Sequence, residues 1–475
     1  MGNYIKVYTE GGGIVPCAVP DVFINLGKHS EEHSKIGIRG KPYKANCPIP
    51  VFGGSSMDLS QIAIVSGSPT VTIEIDEQGT HRLKVVTGAG VTAQLNILTM
   101  NGTYFGGDIY VKFKGSYEDG LQSFSYYTAP GAAIATNYVL SGALNFSSAT
   151  KDSYLQPGAG NTPAVWRTGR INNAVTGTIT YPFVVGSNKL EIKPRPGFVA
   201  TVYIYLIGIG HTNQKGRCFI MADDNNMSWI TRGAPFFNEV GIPTTTSLMA
   251  SSVGLSSVYA TLDQLKGYVG AGNSIIAHGP TGGSYDGNLI SVYPDNINRI
   301  ADMNSCRDFI FDNKLQTENC EYCYAWPQGV YQSSIGDTSL LDMAIANGFT
   351  TARCSALINP LVQYNMDAVT KHQRLALPNT THGWGGSTAS QVALITAINN
   401  AINSAALYGT DIFITFHHIV LDSTIDAEMD TTKCRVSDML SIRNTVRDAV
   451  AAGTLDCLTL PECVPVHYNN PWYTF

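Results

Sequence analysis

The pattern of apolar and polar positions changes near residue 215. Before it, from about residue 68 to 212, short runs alternate between apolar and polar side chains and are separated by Gly, Asn and Pro. A period of two is typical of half-buried strands, so this segment is predicted to form an antiparallel β-sandwich of jelly-roll type. The runs that carry the pattern are residues 70–75, 82–86, 91–97, 107–113, 190–193 and 199–206.

After residue 215, strand-like runs alternate with helical ones. A capping box, Thr261-Leu-Asp-Gln264, precedes one apolar stripe. Thr388 opens a second helix, and Met439 begins the apolar stripe of a third. The stripe of the second helix consists of Val392, Ile395, Ile398 and Ile402. Seven strands interleaved with helices imply a parallel sheet that closes, or nearly closes, into a (β/α) barrel. The predicted strands lie near residues 217–222, 243–249, 274–278, 322–326, 350–355, 411–416 and 455–460.

These patterns divide the chain into three parts. Residues 1–60 are punctuated by Gly and Pro and predict an extended arm that packs on another surface. Residues 61–214 form the predicted β-sandwich, which would serve carbohydrate binding or oligomerisation, and residues 215–475 form the predicted barrel. The length of 475 residues agrees with more than one core, since a single core rarely exceeds about 250–300 residues.

Composition narrows the classes of function. Only 14% of the residues are charged, and the net charge of -6 without a basic cluster argues against nucleic-acid binding. No apolar stretch approaches the roughly 20 residues of a membrane span, and the first residues lack the apolar core of a signal peptide. Low charge with abundant Gly, Thr, Ser and Asn is typical of β-rich extracellular or particle-borne proteins.

Two adjacent carboxylates, Asp223 and Asp224, follow the first strand of the predicted barrel. Neighbouring carboxylates at the end of a buried strand repel each other and are desolvated together. A divalent metal would relieve this repulsion: one aspartate binds the ion, and the other accepts a proton from water whose pKa the ion lowers toward about 7. From these two residues alone, an exposed Asp-Asp turn explains the sequence equally well.

Other polar residues lie where the later strands end. His278 ends the third strand, the fourth runs into Trp326, Arg353 lies on the fifth, and His417 ends the sixth with His418 after it. The carboxyl ends of barrel strands converge on one face, so these side chains are expected to lie near the aspartates. This clustering favours a catalytic site over isolated structural histidines.

In chain order, these segments resemble the motifs of NodB-type polysaccharide deacetylases (carbohydrate esterase family four), which have a distorted seven-stranded barrel. The resemblance covers about residues 215–475, and it is specific through its combination of motifs. The segments that carry it are Met221-Ala-Asp223-Asp224-Asn-Asn226, Pro235-Phe-Phe-Asn-Glu-Val-Gly-Ile-Pro-Thr244, Tyr324-Ala-Trp-Pro-Gln-Gly-Val-Tyr331, Gly348-Phe-Thr-Thr-Ala-Arg353 and Ile414-Thr-Phe-His417.

The resemblance implies a role for each residue that matches a motif. Asp223 would be the general base, and Asp224 and His278 would be metal ligands. His417 would be the general acid that protonates the departing sugar amine or hydroxyl, and the backbone N–H of Gln328 would bind the oxyanion.

Arg353 would orient Asp223, because the arginine that opens the family's usual third motif is Ala325 here. Trp326 and Pro327 would bind substrate, with the indole as an apolar wall for the acetyl methyl group or a sugar face. Core packing is the alternative role for Trp326.

The second motif departs from the family pattern. The family has two histidines four residues apart, whereas Gly282 lies four residues after His278. The third ligand would then come from elsewhere, with Asp286 and Asn226 as unranked candidates, or it would be water. Zinc suits a mixed Asp and His site with an open position, but an incomplete ligand set predicts weak metal retention.

The expected function is therefore that of a metal-dependent esterase or amidase. It would remove acetyl groups from a bacterial surface polysaccharide, either capsule or O-antigen. Composition, the N-terminal arm and the lack of an export signal suggest a phage tail spike or fibre protein, a homotrimer located in the virion; a bacterial deacetylase without its leader is the alternative.

One further class of function remains open, and another is disfavoured. A degenerate deacetylase scaffold would bind glycan for receptor recognition without catalysis. Phosphoester hydrolysis would need a Gly-rich phosphate loop or a basic cradle, and the sequence contains neither.

Overall fold

A computed structural model describes most of the barrel region and part of the β region. The described residues are 4–8, 14–18, 49–76, 79–98, 109–115, 119–128, 139–145, 166–171, 189–209, 215–279, 287–331, 333, 337–357, 366, 371–379, 388–424, 428–429 and 432–464. Among them, no helix combines the length and the apolar character that crossing a bilayer requires.

The N-terminal region contains thirteen described strands, and all their pairings are antiparallel. The first two form a hairpin, and the others form a five-stranded and a six-stranded sheet. The strands are β1 (Tyr4–Tyr8), β2 (Ile14–Ala18), β3 (Ile49–Gly53), β4 (Ile62–Ser66), β5 (Thr70–Ile75), β6 (His81–Val86), β7 (Ala93–Ile97), β8 (Ile109–Lys114), β9 (Leu121–Thr128), β10 (Val139–Asn145), β11 (Trp166–Ile171), β12 (Lys189–Pro194) and β13 (Thr201–Ile209).

The two larger sheets share one apolar core. Their strand orders are β10-β9-β12-β7-β4 and β11-β8-β13-β6-β5, and β3 pairs with β13. Phe113 of one sheet stacks on Phe124 of the other with ring centroids 4.8 Å apart. Residues 49–53 fall within the predicted arm but belong to the second sheet. The jelly-roll topology and the domain boundaries stay predictions.

The barrel region contains ten described strands, and eight of them form one parallel sheet. The order is β19-β18-β17-β16-β15-β14-β20, and β23 also pairs with β14. The strands are β14 (Gly216–Ala222), β15 (Thr244–Leu248), β16 (Ser274–Ala277), β17 (Cys323–Ala325), β18 (Thr351–Leu357), β19 (Leu377–Asn379), β20 (Asp411–Phe416), β21 (His418–Val420), β22 (Lys433–Arg435) and β23 (Leu455–Cys457).

This sheet curls toward closure. Its two outermost strands, β19 and β20, are joined by a side-chain hydrogen bond in which Thr415 Oγ1 donates to Asn379 Oδ1 at 3.1 Å. All seven predicted strands are present, so the prediction of a curled parallel sheet is confirmed. The short strand β19 was not predicted, because Pro378 lies within its three residues and a proline in a run argues against a strand.

In the sequence, the described helices of the barrel region lie between its strands. The predicted capping box is present: Thr261 N donates to Gln264 Oε1 at 2.8 Å, and Thr261 Oγ1 accepts from Gln264 N at 3.4 Å. The helices are α1 (Ala234–Asn238), α2 (Leu262–Gly270), α3 (Leu289–Val292), α4 (Asn296–Asp312), α5 (Ser339–Ala346), α6 (Lys371–Arg374), α7 (Thr388–Tyr408) and α8 (Val436–Ala451), and a π-helical turn (Trp229–Gly233) precedes α1.

A buried ion pair fixes the starts of two strands that carry the site. Arg217 Nε and Nη2 donate to the two carboxylate oxygens of Asp411 at 2.6 and 2.7 Å. These residues pair in the register of β14 and β20, so their alignment carries through to Asp223 and His417 at the other end. Every residue of β14 is buried, and the first polar side chain after it is Asp223.

Candidate active site

Five of the predicted site residues meet near the carboxyl ends of the strands. Asp223 and Asp224 follow β14, His278 follows β16, and His417 follows β20. Arg353 reaches the group from within β18. Contacts between ionisable side chains join Arg353 and His417 to Asp223, and His278 to Asp224.

The two oxygens of the Asp223 carboxylate have different surroundings. Oδ1 accepts hydrogen bonds from Arg353 Nη2 and from Ser247 Oγ, the latter at 2.8 Å. Oδ2 faces His417 Nε2 across 3.7 Å, which is longer than a direct hydrogen bond. One oxygen therefore anchors the side chain, and the other faces a space between the carboxylate and an imidazole.

The electrostatic surroundings keep Asp223 ionised. Burial alone would raise its pKa, but the charges of Arg353, His278 and His417 and the Ser247 hydrogen bond lower it, and the net effect puts the pKa below its ordinary value. Asp223 is thus a proton acceptor at neutral pH.

Asp224 and His278 form the second contact of the site. His278 Nδ1 lies 2.8 Å from the Ala325 carbonyl oxygen, which can only accept, so Nδ1 carries the proton. His278 Nε2 then points at Asp224 Oδ1, 3.2 Å away. The Asp224 side chain is 34% exposed, so one side of this pair is open to solvent.

The pKa of His278 is raised above its usual value. Burial acts to lower it, but the hydrogen bond to Asp224 and the charges of both aspartates outweigh that effect. A second proton on Nε2 would satisfy Asp224. A bound cation would satisfy both side chains in the same place, because each offers a lone pair to it.

These two side chains fit a divalent cation as a pair of ligands. The backbone contact of His278 Nδ1 is the orientation that metal-ligating histidines usually have. Within the described residues, however, no three His, Cys, Asp or Glu side chains form a group that would hold a metal ion. The fit is therefore to a cation held by Asp224 and His278, with its other positions open to water or substrate.

Of the two candidates for the third ligand, Asn226 is engaged elsewhere. Its Oδ1 accepts from Ser228 Oγ at 2.9 Å, and its Nδ2 lies 2.6 Å from His418 Nδ1. Asn226 thus joins the turn after β14 to β21, and its side-chain oxygen is already hydrogen-bonded to Ser228. Asp286 and Gly282 lie outside the described residues.

His417 is held less completely than His278. Its side chain is 22% exposed, and its Nδ1 is buried without a hydrogen-bond partner in the described part of the chain. No described group therefore fixes its tautomer, and either ring nitrogen can carry the proton.

The segment after β17 holds the remaining predicted residues. Gln328 is exposed and has a left-handed backbone with φ of 54°, and its Oε1 accepts from Asn288 Nδ2 at 3.1 Å. Trp326 is 1% exposed, its Nε1 donates to the Leu375 carbonyl at 2.5 Å, and Pro327 is buried. Trp326 therefore packs in the core of this structure, which is the alternative role, and the assignment of Trp326 and Pro327 to substrate binding stays a prediction.

Two residues of the site were missed from the sequence. Ser247 donates to the anchored oxygen of Asp223, and Asn225 binds the segment that follows β15. A signal for Ser247 was present: β15 begins with a run of four hydroxyl residues, all fully buried. Buried hydroxyls need partners, and the end of this strand lies beside Asp223.

Comparison with solved structures gives similarities at low identity. A polysaccharide deacetylase from Bacillus cereus is 13% identical over 54% of this chain and 100% of its own, with a TM-score of 0.34. A family 4 carbohydrate esterase from Streptomyces lividans, solved with acetate, is 12% identical over 52% of this chain and 94% of its own, with a TM-score of 0.31.

A deacetylase from Streptococcus pyogenes, also solved with acetate, is 14% identical over 34% of this chain, with a TM-score of 0.27; the match spans 62% of its length. No family model matches the chain, and no curated protein matches its sequence.

Proposed function

We propose that the chain is a hydrolase that removes acetyl groups from a polysaccharide. The observation that carries this proposal is the unequal environment of the Asp223 carboxylate. One oxygen is anchored by Arg353 and Ser247, and the other faces His417 across 3.7 Å. A fixed base opposite an imidazole is the arrangement that addition of water to an acyl carbon and release of an amine or alcohol requires.

The proposed reaction uses these two groups in turn. Asp223 Oδ2 accepts a proton as the oxygen of water bonds to the acetyl carbon. His417 then donates a proton to the sugar nitrogen or oxygen as its bond to that carbon breaks, and acetate leaves. The backbone N–H of Gln328 is assigned to the negative charge that develops on the acyl oxygen.

A divalent cation, with zinc as the first choice, is assigned to Asp224 and His278. When bound, it would supply Lewis acidity to the acyl oxygen and to water. The chain's own contribution is the His278 tautomer, which leaves Nε2 free to bind, and the carboxylate of Asp224 beside it. With two protein ligands, the affinity is expected to be weak.

The proposal also covers the class of substrate and the particle to which the protein belongs. We assign the substrate to bacterial surface polysaccharide and the protein to a phage tail spike or fibre as a homotrimer, on the basis of composition and chain organisation. Sedimentation of the purified protein tests the trimer, and release of acetate from capsular or O-antigen preparations tests the substrate.

The central experiment measures acetate release from O- and N-acetylated glycans with added Zn²⁺. Asp223→Asn and His417→Asn are each expected to lower the rate by about 10²- to 10⁴-fold, which is the usual contribution of a positioned acid or base. Asp456→Asn is the matched control, because Asp456 is half exposed and pairs with Lys215 away from the site. Equal activity of all four proteins would contradict the assignment.

A second candidate function is glycan binding without catalysis. The observation that favours it is the absence, within the described residues, of a three-ligand metal group. Glycan binding by the wild type without acetate release at any Zn²⁺ concentration would favour this function over the first.

A further inference from the structure

We propose that Asn225 is a positioning residue that fixes the backbone of Asp224. It would do so by joining the turn after β14 to residues 247–260, which comprise the end of β15 and the segment that follows it. This inference rests on the proposed function, in which Asp224 binds the cation. Asn225 itself touches neither the cation nor the substrate in this scheme.

The side chain of Asn225 makes two hydrogen bonds to that segment. Its Oδ1 accepts from Met249 N and from Ser252 Oγ, both at 3.0 Å. Asn225 and Ser252 are completely buried, so water cannot replace either bond. The amide oxygen thus holds two points of the neighbouring segment.

The backbone of Asn225 makes two more bonds to the same segment. Its N–H donates to the Ser247 carbonyl, and its own carbonyl accepts from Ala260 N, each at 3.0 Å. The Ser247 hydroxyl in turn donates to Asp223 Oδ1. The turn that carries both aspartates is therefore bonded to residues 247–260 through its backbone and through a side chain.

The backbone of this turn needs such support. Asp224 and Asn225 are consecutive residues in the left-handed region, with φ of 68° and 40°. Side chains disfavour this region, and two residues in succession are rare. If the bonds were lost, the turn would be expected to relax, and the Asp224 carboxylate would lose its fixed direction toward His278.

The unpaired amide nitrogen of Asn225 indicates that the side chain stabilises the turn through its oxygen. Nδ2 is buried and has no hydrogen-bond partner among the described residues. A buried, unpaired donor is unfavourable, and glycine would adopt this backbone without that penalty. The two bonds accepted by Oδ1 are the compensating gain.

The test compares Asn225→Gly with Ser252→Ala and with a matched control. Asn225→Gly keeps a residue that adopts the left-handed backbone and removes the amide oxygen, and Ser252→Ala removes one of its two donors. Asn319→Gly is the control: Asn319 has φ of 62°, lies before β17 at the other end of the sheet, and makes no side-chain cap bond.

Three measurements are made on the full chain. They are Zn²⁺ affinity by competition with a chromophoric chelator, hydrogen exchange of peptides that span residues 221–227, and the thermal midpoint. We expect Asn225→Gly to weaken Zn²⁺ binding about tenfold, because residues that hold a metal ligand in place usually contribute at least that much, and to speed exchange in this peptide. Ser252→Ala should have a smaller effect of the same sign, and Asn319→Gly should change neither.

The outcomes separate this inference from the proposed function. Unchanged exchange and Zn²⁺ affinity in Asn225→Gly would overturn the positioning role, even if the wild type releases acetate. A thermal midpoint lowered equally in Asn225→Gly and Asn319→Gly, with no local change in exchange, would also overturn it. Faster local exchange in a protein that neither binds Zn²⁺ nor releases acetate would support the positioning of the turn and refute the function.

Discussion

The buried contact between Arg353 and Asp223 makes a strong prediction about stability. The Arg353 side chain is 1% exposed and that of Asp223 is 8% exposed, so solvent cannot screen a charge left without its partner. Removing one member of a buried ion pair typically costs about 3–5 kcal/mol. Arg353→Met should therefore lower the free energy of unfolding of the barrel region by about that amount, although Ser247 still donates to the carboxylate.

The double variant tests whether the cost comes from the unpaired charge. The double variant, Asp223→Asn with Arg353→Met, leaves neither of these two charges in the core. Its loss of unfolding free energy should therefore be smaller than the sum of the losses in the two single variants by about 2–3 kcal/mol. The assay is denaturant unfolding followed by tryptophan fluorescence and near-ultraviolet circular dichroism. Arg447→Met is the control, because Arg447 pairs with Asp448 on the surface, where such pairs contribute about 0–1 kcal/mol.

The pH dependence of the unfolding free energy is a second test of the same ion pair. The pKa of Asp223 is lowered in the folded chain, so its ionisation contributes stability at pH values above the unfolded pKa of about 4. That contribution is lost as the pH falls through the folded pKa, and Asp223→Asn should remove it. A cost for Arg353→Met no larger than that of the surface control, or strictly additive losses in the double variant, would refute the reasoning.

Three further predictions follow from individual contacts. Ser247→Ala should lower kcat about tenfold with little change in KM, because the hydrogen bond from Ser247 to the charged Asp223 is lost. Thr246→Val is the control and should not lower kcat, because the Thr246 hydroxyl bonds the Ala222 carbonyl instead. Steady-state acetate release measures kcat and KM of both variants. His278→Ala should weaken Zn²⁺ binding at least tenfold in a chelator competition, and intact affinity would exclude it as a ligand. Trp326→Ala should lower the free energy of unfolding, measured by denaturant, by about 3–5 kcal/mol, as for other core residues. A change in KM without loss of stability would instead support contact between Trp326 and the sugar.

The barrel strands were predictable because they lie in apolar or Thr-rich runs bounded by helix signals. The predicted capping box at Thr261 is present in the structure. In the predicted apolar stripe of α7, Ile398 and Ile402 are buried. The same stripe fails at Val392, which is 57% exposed, because the helical period gives the face of a residue but not how far along the helix that face is covered. The β region was harder, since pairing partners there are distant in sequence and period alone does not fix their order.

The main site residues were predictable because they stand alone as polar residues at the ends of apolar strands. Asp223, His278 and His417 needed only the convergence of parallel strands to be brought together. The role of Trp326 could not be decided this way, because an indole at a strand end suits both the core and a binding surface. Its burial depends on the packing of Tyr324 and Tyr331 around it.

The residues missed from the sequence share a physical cause. Ser247 and Asn225 act through hydrogen bonds whose partners become neighbours only after the left-handed turn at Asp224 is formed. Sequence periodicity describes which face of a strand a residue takes, but it does not describe a turn of this kind. The polar character of β15 was nevertheless informative: Thr244 bonds Tyr268, Thr245 accepts from Leu460 N, and Ser247 reaches Asp223. A buried strand that retains a row of hydroxyls indicates that its neighbours are polar, and here that condition identifies the strand beside the Asp223 carboxylate.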